Sequence, residues 1–310
     1  MGLRDRYQAR SPGMGPTITE DLERTWEKSS RYDRVARVKS TERLTETGTV
    51  RMTFDVVDDQ PFVLKPGQFV GIQALVGDFG YRKSPYCVLS PPGDEQRFEL
   101  LIRVVAEGPL SCYLASLKVG DEISFRGPTG RSMVPKDDDT SQLCLMATGV
   151  GISPFLSLVK VLSGRGFPRP IRLYWGLRLV EDICLIDELD ELVSSVEDFQ
   201  YQISLSQPPE NWTGLRGRLT ETVPPLIEKL GDRRFYLVGN GAMNKEMAGA
   251  LSDLGVDRHF IYEEHYFNLK YQPDNDTVRE IRRRFVANDL FSPVAHQEAG
   301  GWLPRDGRGS

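Results

Sequence analysis

Residues 81–91 read Tyr81-Arg82-Lys83-Ser84-Pro85-Tyr86-Cys87-Val88-Leu89-Ser90-Pro91. Tyr86, Val88 and Ser90 alternate with Cys87 and Leu89, the pattern of a strand with two different faces. Arg82 and Lys83 precede that strand, and a Pro-Pro-Gly turn at 91–93 follows it. A planar aromatic ligand with a phosphate tail needs such a set: a ring to stack on, small hydrogen-bonding side chains and nearby positive charge. The same residues also suit an ordinary amphipathic barrel strand, and the stretch alone does not decide between the two.

Three further stretches have the composition of phosphate loops. Gly108-Pro109-Leu110-Ser111 opens a short helical pattern at 111–117. A glycine turn there brings backbone N–H groups and a hydroxyl to a helix N-terminus, which favours an anion. A serine N-cap at any helix would leave the same trace. Thr148-Gly149-Val150-Gly151-Ile152-Ser153-Pro154 follows the apolar run 143–147. Its two glycines let the chain turn sharply and let a pyrophosphate approach the backbone, and Pro154 suits the first turn of the next helix. Gly239-Asn240-Gly241-Ala242-Met243 follows the last buried run, 235–238. In an open α/β sheet, loops at the carboxyl ends of the strands are where ligands bind.

Two kinds of element must position these stretches. Residues 35–38, 50–57, 68–75, 86–90, 98–105 and 122–126 are short β-type runs separated by turns such as Glu46-Thr47-Gly48 and Lys65-Pro66-Gly67. Short strands at regular spacing predict an antiparallel barrel. Past the acidic run Asp137-Asp138-Asp139 the texture changes. Strands at 143–147, 171–175, 201–205, 235–238 and 259–263 alternate with helices at 154–163, 183–194, 219–229 and 243–254. That alternation predicts a parallel sheet covered on both faces. The domains expected are an N-terminal extension at 1–30, a barrel at 31–136, an α/β domain at 140–268 and a C-terminal extension at 269–310. Within the extensions, 19–28 suits either a short capped helix or a disordered segment, 275–290 suits a basic helix, and the Gly-rich end at 297–310 is expected to be mobile.

The 310 residues leave room for two domains at roughly 100–200 residues each. The net charge of −5 does not point to nucleic acid. Apolar runs fall far short of a membrane span, and residues 1–10 carry three arginines with no apolar core behind them, so neither a span nor a signal peptide is expected. Cys87, Cys112, Cys144 and Cys184 are scattered, with no CxxC and no neighbouring His. Their spacing excludes the usual zinc and iron–sulfur ligand sets, so no metal site is expected. Buried free thiols in a reducing, cytoplasmic setting are the expectation.

The order of these stretches resembles the ferredoxin–NADP reductase superfamily, and within it the bacterial ferredoxin or flavodoxin reductases, over residues 33–268. Residues 84–91 look like that family's Arg-x-Tyr-Ser-x-x-Ser flavin motif, and 108–111 like its second flavin-phosphate motif. Residues 147–155 match its nicotinamide loop; Trp175-Gly176-Leu177-Arg178, Gly217-Arg218-Leu219-Thr220 and residues 238–243 match later landmarks. The resemblance implies an FAD-binding barrel, a nucleotide-binding α/β domain and NAD or NADP as substrate. It places Tyr86 on the flavin ring and Cys87 at the flavin edge, with Val88 and Ser90 in the same motif. Gly108, Leu110 and Ser111 would hold the pyrophosphate, and Arg103 would be a phosphate ligand. Thr148, Gly149, Gly151, Pro154, Gly239, Asn240 and Met243 would form the nicotinamide side. Arg178 and Arg218 would meet its ribose or 2′-phosphate, and Tyr266 or Phe267 would supply an aromatic residue near the flavin. Tyr86, Cys87 and Phe267 are thus the candidate catalytic residues.

The departures from the family are specific. Ser84 stands where the motif has Arg, so Arg82, Lys83 or Arg103 is expected to supply the charge. Val238 and Gly241 replace a usual Cys and Pro, and Ser206-Gln207 replaces a Thr-Arg pair. Losing one Arg weakens the basis for choosing a 2′-phosphate. The resemblance implies an oxidoreductase that exchanges electrons with a ferredoxin or flavodoxin, such acidic carriers being met by basic residues like Arg279, Arg282, Arg283 and Arg284. Alternatives are a reductase subunit docked through its termini in a larger redox or oxygenase complex, and a slow flavin-binding regulatory protein.

Overall fold

The computed structural model describes residues 32–105, 108–131, 133–135, 142–227 and 233–266, with backbone only at 78, 265 and 266. The two extensions, the helices expected in them, Phe267 and the arginines at 279–284 lie outside the described residues.

The first sheet has six strands: β1 (Arg34–Arg43), β2 (Thr49–Val56), β3 (Phe69–Leu75), β4 (Tyr81–Cys87), β5 (Arg97–Arg103) and β6 (Glu122–Thr129). Their order is β4-β3-β6-β1-β2-β5, with antiparallel pairing throughout. The two edge strands meet: Val88 bridges Leu100, and the Leu89 N–H donates to the Glu99 carbonyl at 2.8 Å. This closes the sheet towards a barrel. Phe54, Phe62, Phe98 and Phe125 fill it, with ring centroids 4.9 Å apart for Phe62 and Phe98 and 5.3 Å for Phe98 and Phe125. Helix α1 (Pro109–Ser116) packs on β4 and β5, burying Leu110 and Leu114, one turn apart, on one face.

The second sheet has β7 (Gln142–Thr148), β8 (Ile171–Leu177), β9 (Phe199–Leu205), β10 (Leu215–Arg216), β11 (Arg233–Asn240) and β12 (Ile261–Tyr266) in the order β10-β9-β8-β7-β11-β12, all parallel. Helices α2 (Ser153–Gly164), α3 (Ile186–Ser195), α4 (Leu219–Thr222) and α5 (Gly241–Asp253) accompany it. Leu143, Cys144, Leu145, Met146 and Ala147 are all buried, because helices cover both faces of β7. The chain runs outward from β7 through β8, β9 and β10, then returns to the other side of β7 as β11. That reversal puts a crevice at the carboxyl end of β7, the general ligand position in such sheets.

Several boundaries differ from expectation. The helix expected at 219–229 is one turn of α followed by a 3-10 turn at Pro224–Leu226, since consecutive prolines remove the amide donors a longer helix needs. The helix expected at 183–194 begins at Ile186, after a 3-10 turn at Val180–Asp182. The strand expected at 86–90 begins at Tyr81, and the expected 259–263 strand starts later, behind a 3-10 turn at Arg258–Phe260.

Candidate active site

β4 pairs with β3 in a register that sorts the candidate residues by face. Arg82, Ser84 and Tyr86 stand opposite Ala74, Ile72 and Val70, whereas Lys83 and Pro85 stand opposite Gln73 and Gly71. Arg82 therefore shares the face of Tyr86, and exposed Lys83 lies on the other. Tyr86 packs against the barrel core beside Cys112 of α1; burial, with Cys112 next, pushes its phenol well up. Strand β4 and the turn before α1 are thus neighbours.

The turn before α1 is built from its own residues. The Ser111 hydroxyl donates to the Gly108 carbonyl at 2.9 Å and accepts the Val105 N–H at 3.2 Å. A Cβ on Gly108 would lie 2.6 Å from Val105 Cγ2 and 2.7 Å from Ser111 Oγ, so any side chain here would have to displace both of those. Leu110 is buried in the barrel core. Val88 is a core residue, and the Ser90 hydroxyl accepts the Glu99 N–H at 3.1 Å, tying β4 to β5. The Ser90 carbonyl accepts from Ser157 of α2 at 3.1 Å, so this stretch also joins the two domains.

On the α/β side, the loop after β7 makes a 3-10 turn at Gly149–Ile152 and enters α2 with Pro154 in its first turn. Gly149 has φ +54, the left-handed region that favours glycine, and nothing lies within 4 Å of where its Cβ would be. Gly151 is different: its Cβ would sit 2.4 Å from the Val238 carbonyl oxygen. A Cβ on Gly239 would fall 2.0 Å from Thr148 Oγ1, which accepts the Asn240 N–H at 3.2 Å. The Trp175 indole N–H donates to the Gly149 carbonyl at 2.8 Å and fixes the loop from β8. Asn240 caps α5 by accepting the Ala242 N–H at 2.8 Å. Missing side chains and paired backbone thus leave a cradle at the carboxyl end of β7.

That cradle opens into a cavity of about 470 Å³ between the domains, lined by Thr148, Gly149, Arg178, Arg218, Asn240 and Met243 from the α/β side and by Thr49 and Arg103 from the barrel. Arg178 Nε donates to Gln207 Oε1 at 3.2 Å, so the residue found in place of an arginine holds Arg178 instead. Arg218 is exposed. Arg103 stands at this seam: its Nη1 donates to Asp182 Oδ1 at 2.8 Å and to Thr47 Oγ1 at 2.9 Å.

The structure adds residues that the motifs did not point to. Glu264 on β12 accepts from the Cys87 thiol at 3.6 Å and from the Tyr262 hydroxyl at 3.5 Å. Burial pushes the Glu264 carboxyl up, and those two hydrogen bonds offset this only in part. Asn244, fully buried, donates to the Glu264 carbonyl at 2.7 Å and fixes its place. Arg51, Asp182 and Glu188 form ion pairs across the domain boundary. No short motif links them, and no local signal in the sequence pointed to them. All four cysteines are buried and outside any disulfide, and burial pushes the Cys144 and Cys184 thiols up to about 12. Tyr266 ends β12, paired in register with Asn240.

An antiparallel barrel beside a parallel sheet, with a cavity between them and a glycine loop at the switch point, defines a two-domain nucleotide-binding oxidoreductase fold. Residues 36–133 match the family described as oxidoreductase FAD-binding domain, and residues 145–248 match the oxidoreductase NAD-binding domain. The chain belongs to the ferredoxin reductase-like superfamily of oxidoreductases, with FAD as cofactor and a nicotinamide nucleotide as substrate. It is 30% identical over 208 residues to NADH-cytochrome b5 reductase 1 of Dictyostelium discoideum, covering 66% of this chain and 72% of that one. It is 29% identical over 225 residues to ferredoxin–NADP reductase B of Sorangium cellulosum, covering 69% and 90%. The reductase component of propane 2-monooxygenase from Mycolicibacterium goodii is 27% identical over 223 residues, covering 70% of this chain and 63% of that one. The crystal structure of the Amycolatopsis cytochrome P450 reductase GcoB shares the fold, with a TM-score of 0.67 at 21% identity over 75% of this chain and 69% of that one. Among the described residues no helix is long and apolar enough to cross a membrane.

Proposed function

We propose that this chain takes electrons from NADH or NADPH and passes them one at a time to a protein carrier such as a ferredoxin or flavodoxin. The observation that carries this reading is the cavity whose walls come from both domains. A nucleotide held by Thr148, Gly149, Arg178 and Arg218 would lie against the barrel, which is the FAD-binding domain. The partners named for the relatives differ, being a cytochrome b5, a ferredoxin and a monooxygenase, and all are proteins, which supports a protein acceptor here.

The residues present fit FAD. At Gly108 a Cβ would press on the Val105 and Ser111 side chains, and among the described residues the helix that follows has no side-chain cap and no acidic residue in its first turn, which suits a phosphate there. Gly108, Leu110 and Ser111 would hold the pyrophosphate, with Tyr86 and Ser84 against the ring. Arg82 is the cation best placed to replace the motif arginine, because Lys83 points from the other face and Arg103 is engaged by Asp182. When bound, FAD supplies the chemistry that accepts an electron pair and releases single electrons. Cys87, on the other face of β4 from Tyr86, would share a proton with Glu264, whose Oε1 would keep it to higher pH than an ordinary carboxylate.

A second reading, a reductase component docked in an oxygenase complex, is supported by the likeness to the propane 2-monooxygenase reductase component. Pull-down with and without residues 1–30 and 270–310 separates the two: loss of capture on truncation supports docking through the termini, and unchanged capture removes it. Replacing Tyr86 tests the flavin side. Tyr86→Ala is expected to purify with little FAD, and full FAD with an unchanged flavin spectrum would contradict its role.

A further inference from the structure

The segment between β8 and α3 leaves the sheet at Arg178 on the cavity rim, makes its 3-10 turn and enters the helix at Ile186. It and the first turn of α3 are bound to the barrel at three points. Asp182 Oδ1 accepts from Arg103 of β5 at 2.8 Å. Glu188 pairs with Arg51 of β2. The Thr47 hydroxyl reaches the Glu181 carbonyl at 3.5 Å. Cys184 and Leu185 share an apolar cluster with Leu89 and Leu101 of the barrel.

Asp182 does two things with one carboxylate. Its second oxygen accepts the Leu179 N–H at 3.1 Å, which shapes the turn, while the first takes the cation of the other domain. Its side chain is only 8% exposed. Three residues on, Leu185 is in the left-handed region at φ 60, which a branched residue adopts only where its surroundings over-determine the backbone. Asp182 and Glu188, anchored to two barrel strands, flank that residue on either side. Arg103, Asp182, Cys184 and Arg178 all line the cavity.

We propose that Asp182 is a positioning residue: by holding Arg103 it clasps the β8–α3 segment to the barrel and so sets the position of Arg178 and the width of the nucleotide cavity. The clasp rests on the reading of that cavity as the nicotinamide nucleotide site. It also gives Arg103 a role other than flavin-phosphate ligand. Removing the charge at Asp182 frees the segment without touching β4 or α1, so nucleotide affinity falls while flavin stays bound.

The experiment uses the full chain with FAD bound. Dissociation constants for NAD⁺ and NADP⁺ are read from flavin difference spectra, and KM and kcat from steady-state reduction of ferricyanide by NADH and NADPH. Asp182→Asn is expected to weaken nucleotide binding and raise KM by roughly tenfold, with a smaller change in kcat and full FAD content. Asp182→Glu should recover part of the loss. Arg103→Met should weaken binding similarly, and the double variant should be no worse than the weaker single one, because one pair is being broken twice. Wild-type affinity in folded, FAD-bound Asp182→Asn and Arg103→Met, or strictly additive losses, overturns the clasp. If the single variants fail to fold, Arg103→Met with Asp182→Leu, which removes both charges, carries the test. Weakened nucleotide binding there supports the clasp, and unchanged binding overturns it. Failure of the wild-type protein to bind either nucleotide would instead overturn the reading of the cavity.

Discussion

The two halves of the site are made in different ways. The α/β half is made by leaving atoms out: Gly151 and Gly239 stand where a Cβ would collide with Val238 or Thr148, and the space this leaves is the cradle. The barrel half is made by side chains on one face of β4, set against a turn at Gly108. A cradle of missing atoms is recorded in sequence as glycines at fixed spacing. A site that needs a cation depends on which cations are already taken, and that is decided by partners elsewhere in the fold.

The sharpest break of this contrast is at Gly151. Gly151→Val would press a branched side chain on the Val238 carbonyl, 2.4 Å from the Cβ position, and backbone cannot swing aside as a flexible side chain can. Overpacking of this kind costs about 1–3 kcal/mol or more. The expected result is loss of measurable nucleotide binding in fluorescence titration, with a lowered Tm. Gly149→Ala tests the other side of the same loop. Its Cβ would meet nothing within 4 Å, so only the left-handed backbone opposes it, at about 1–2 kcal/mol, and weakened but measurable nucleotide binding is expected.

The next largest effect separates the two basic residues of β4. Arg82→Ala is expected to weaken FAD binding by about 1.5–3 kcal/mol, the worth of a hydrogen bond to a charged group. Lys83→Ala, on the opposite face, should change the FAD dissociation constant by less than about twofold. Equal losses would mean that register does not select the phosphate cation.

The smallest effect is a pH dependence. Burial raises the Glu264 carboxyl above its unfolded value, so the folded protein binds this proton more tightly than the unfolded chain does. Stability from this group is therefore present at low pH and is lost as pH rises through the raised value. Glu264→Gln should remove that loss, raising Tm relative to wild type more at pH 8 than at pH 4. A Tm difference that does not vary with pH would contradict the assignment.

Much of the fold was legible because buried parallel strands read as apolar runs; 143–147 and 235–238 both fall within strands of the second sheet. Charged residues hid the start of β4, since Arg82 and Lys83 look like a loop until β3 pairs with them. β10 is two residues long and leaves no periodic trace. The glycine loops of the site could be read directly. The pairs across the domains could not: Arg103 and Asp182 are 79 positions apart, and Arg51 and Glu188 are 137 apart. Nothing local in a sequence says that two such residues meet. Arg103 accordingly looked like a free cation, and its partner became visible only when the barrel was placed against the α/β domain.

The most direct test mixes the purified FAD-bound protein anaerobically with NADH and, separately, NADPH in a stopped-flow instrument, then adds an oxidised ferredoxin or flavodoxin. Bleaching of the visible flavin band by at least one nucleotide, followed by its return as the carrier is reduced, is the expected result. No bleaching by either nucleotide, or bleaching that no one-electron carrier reverses, would contradict the proposed function.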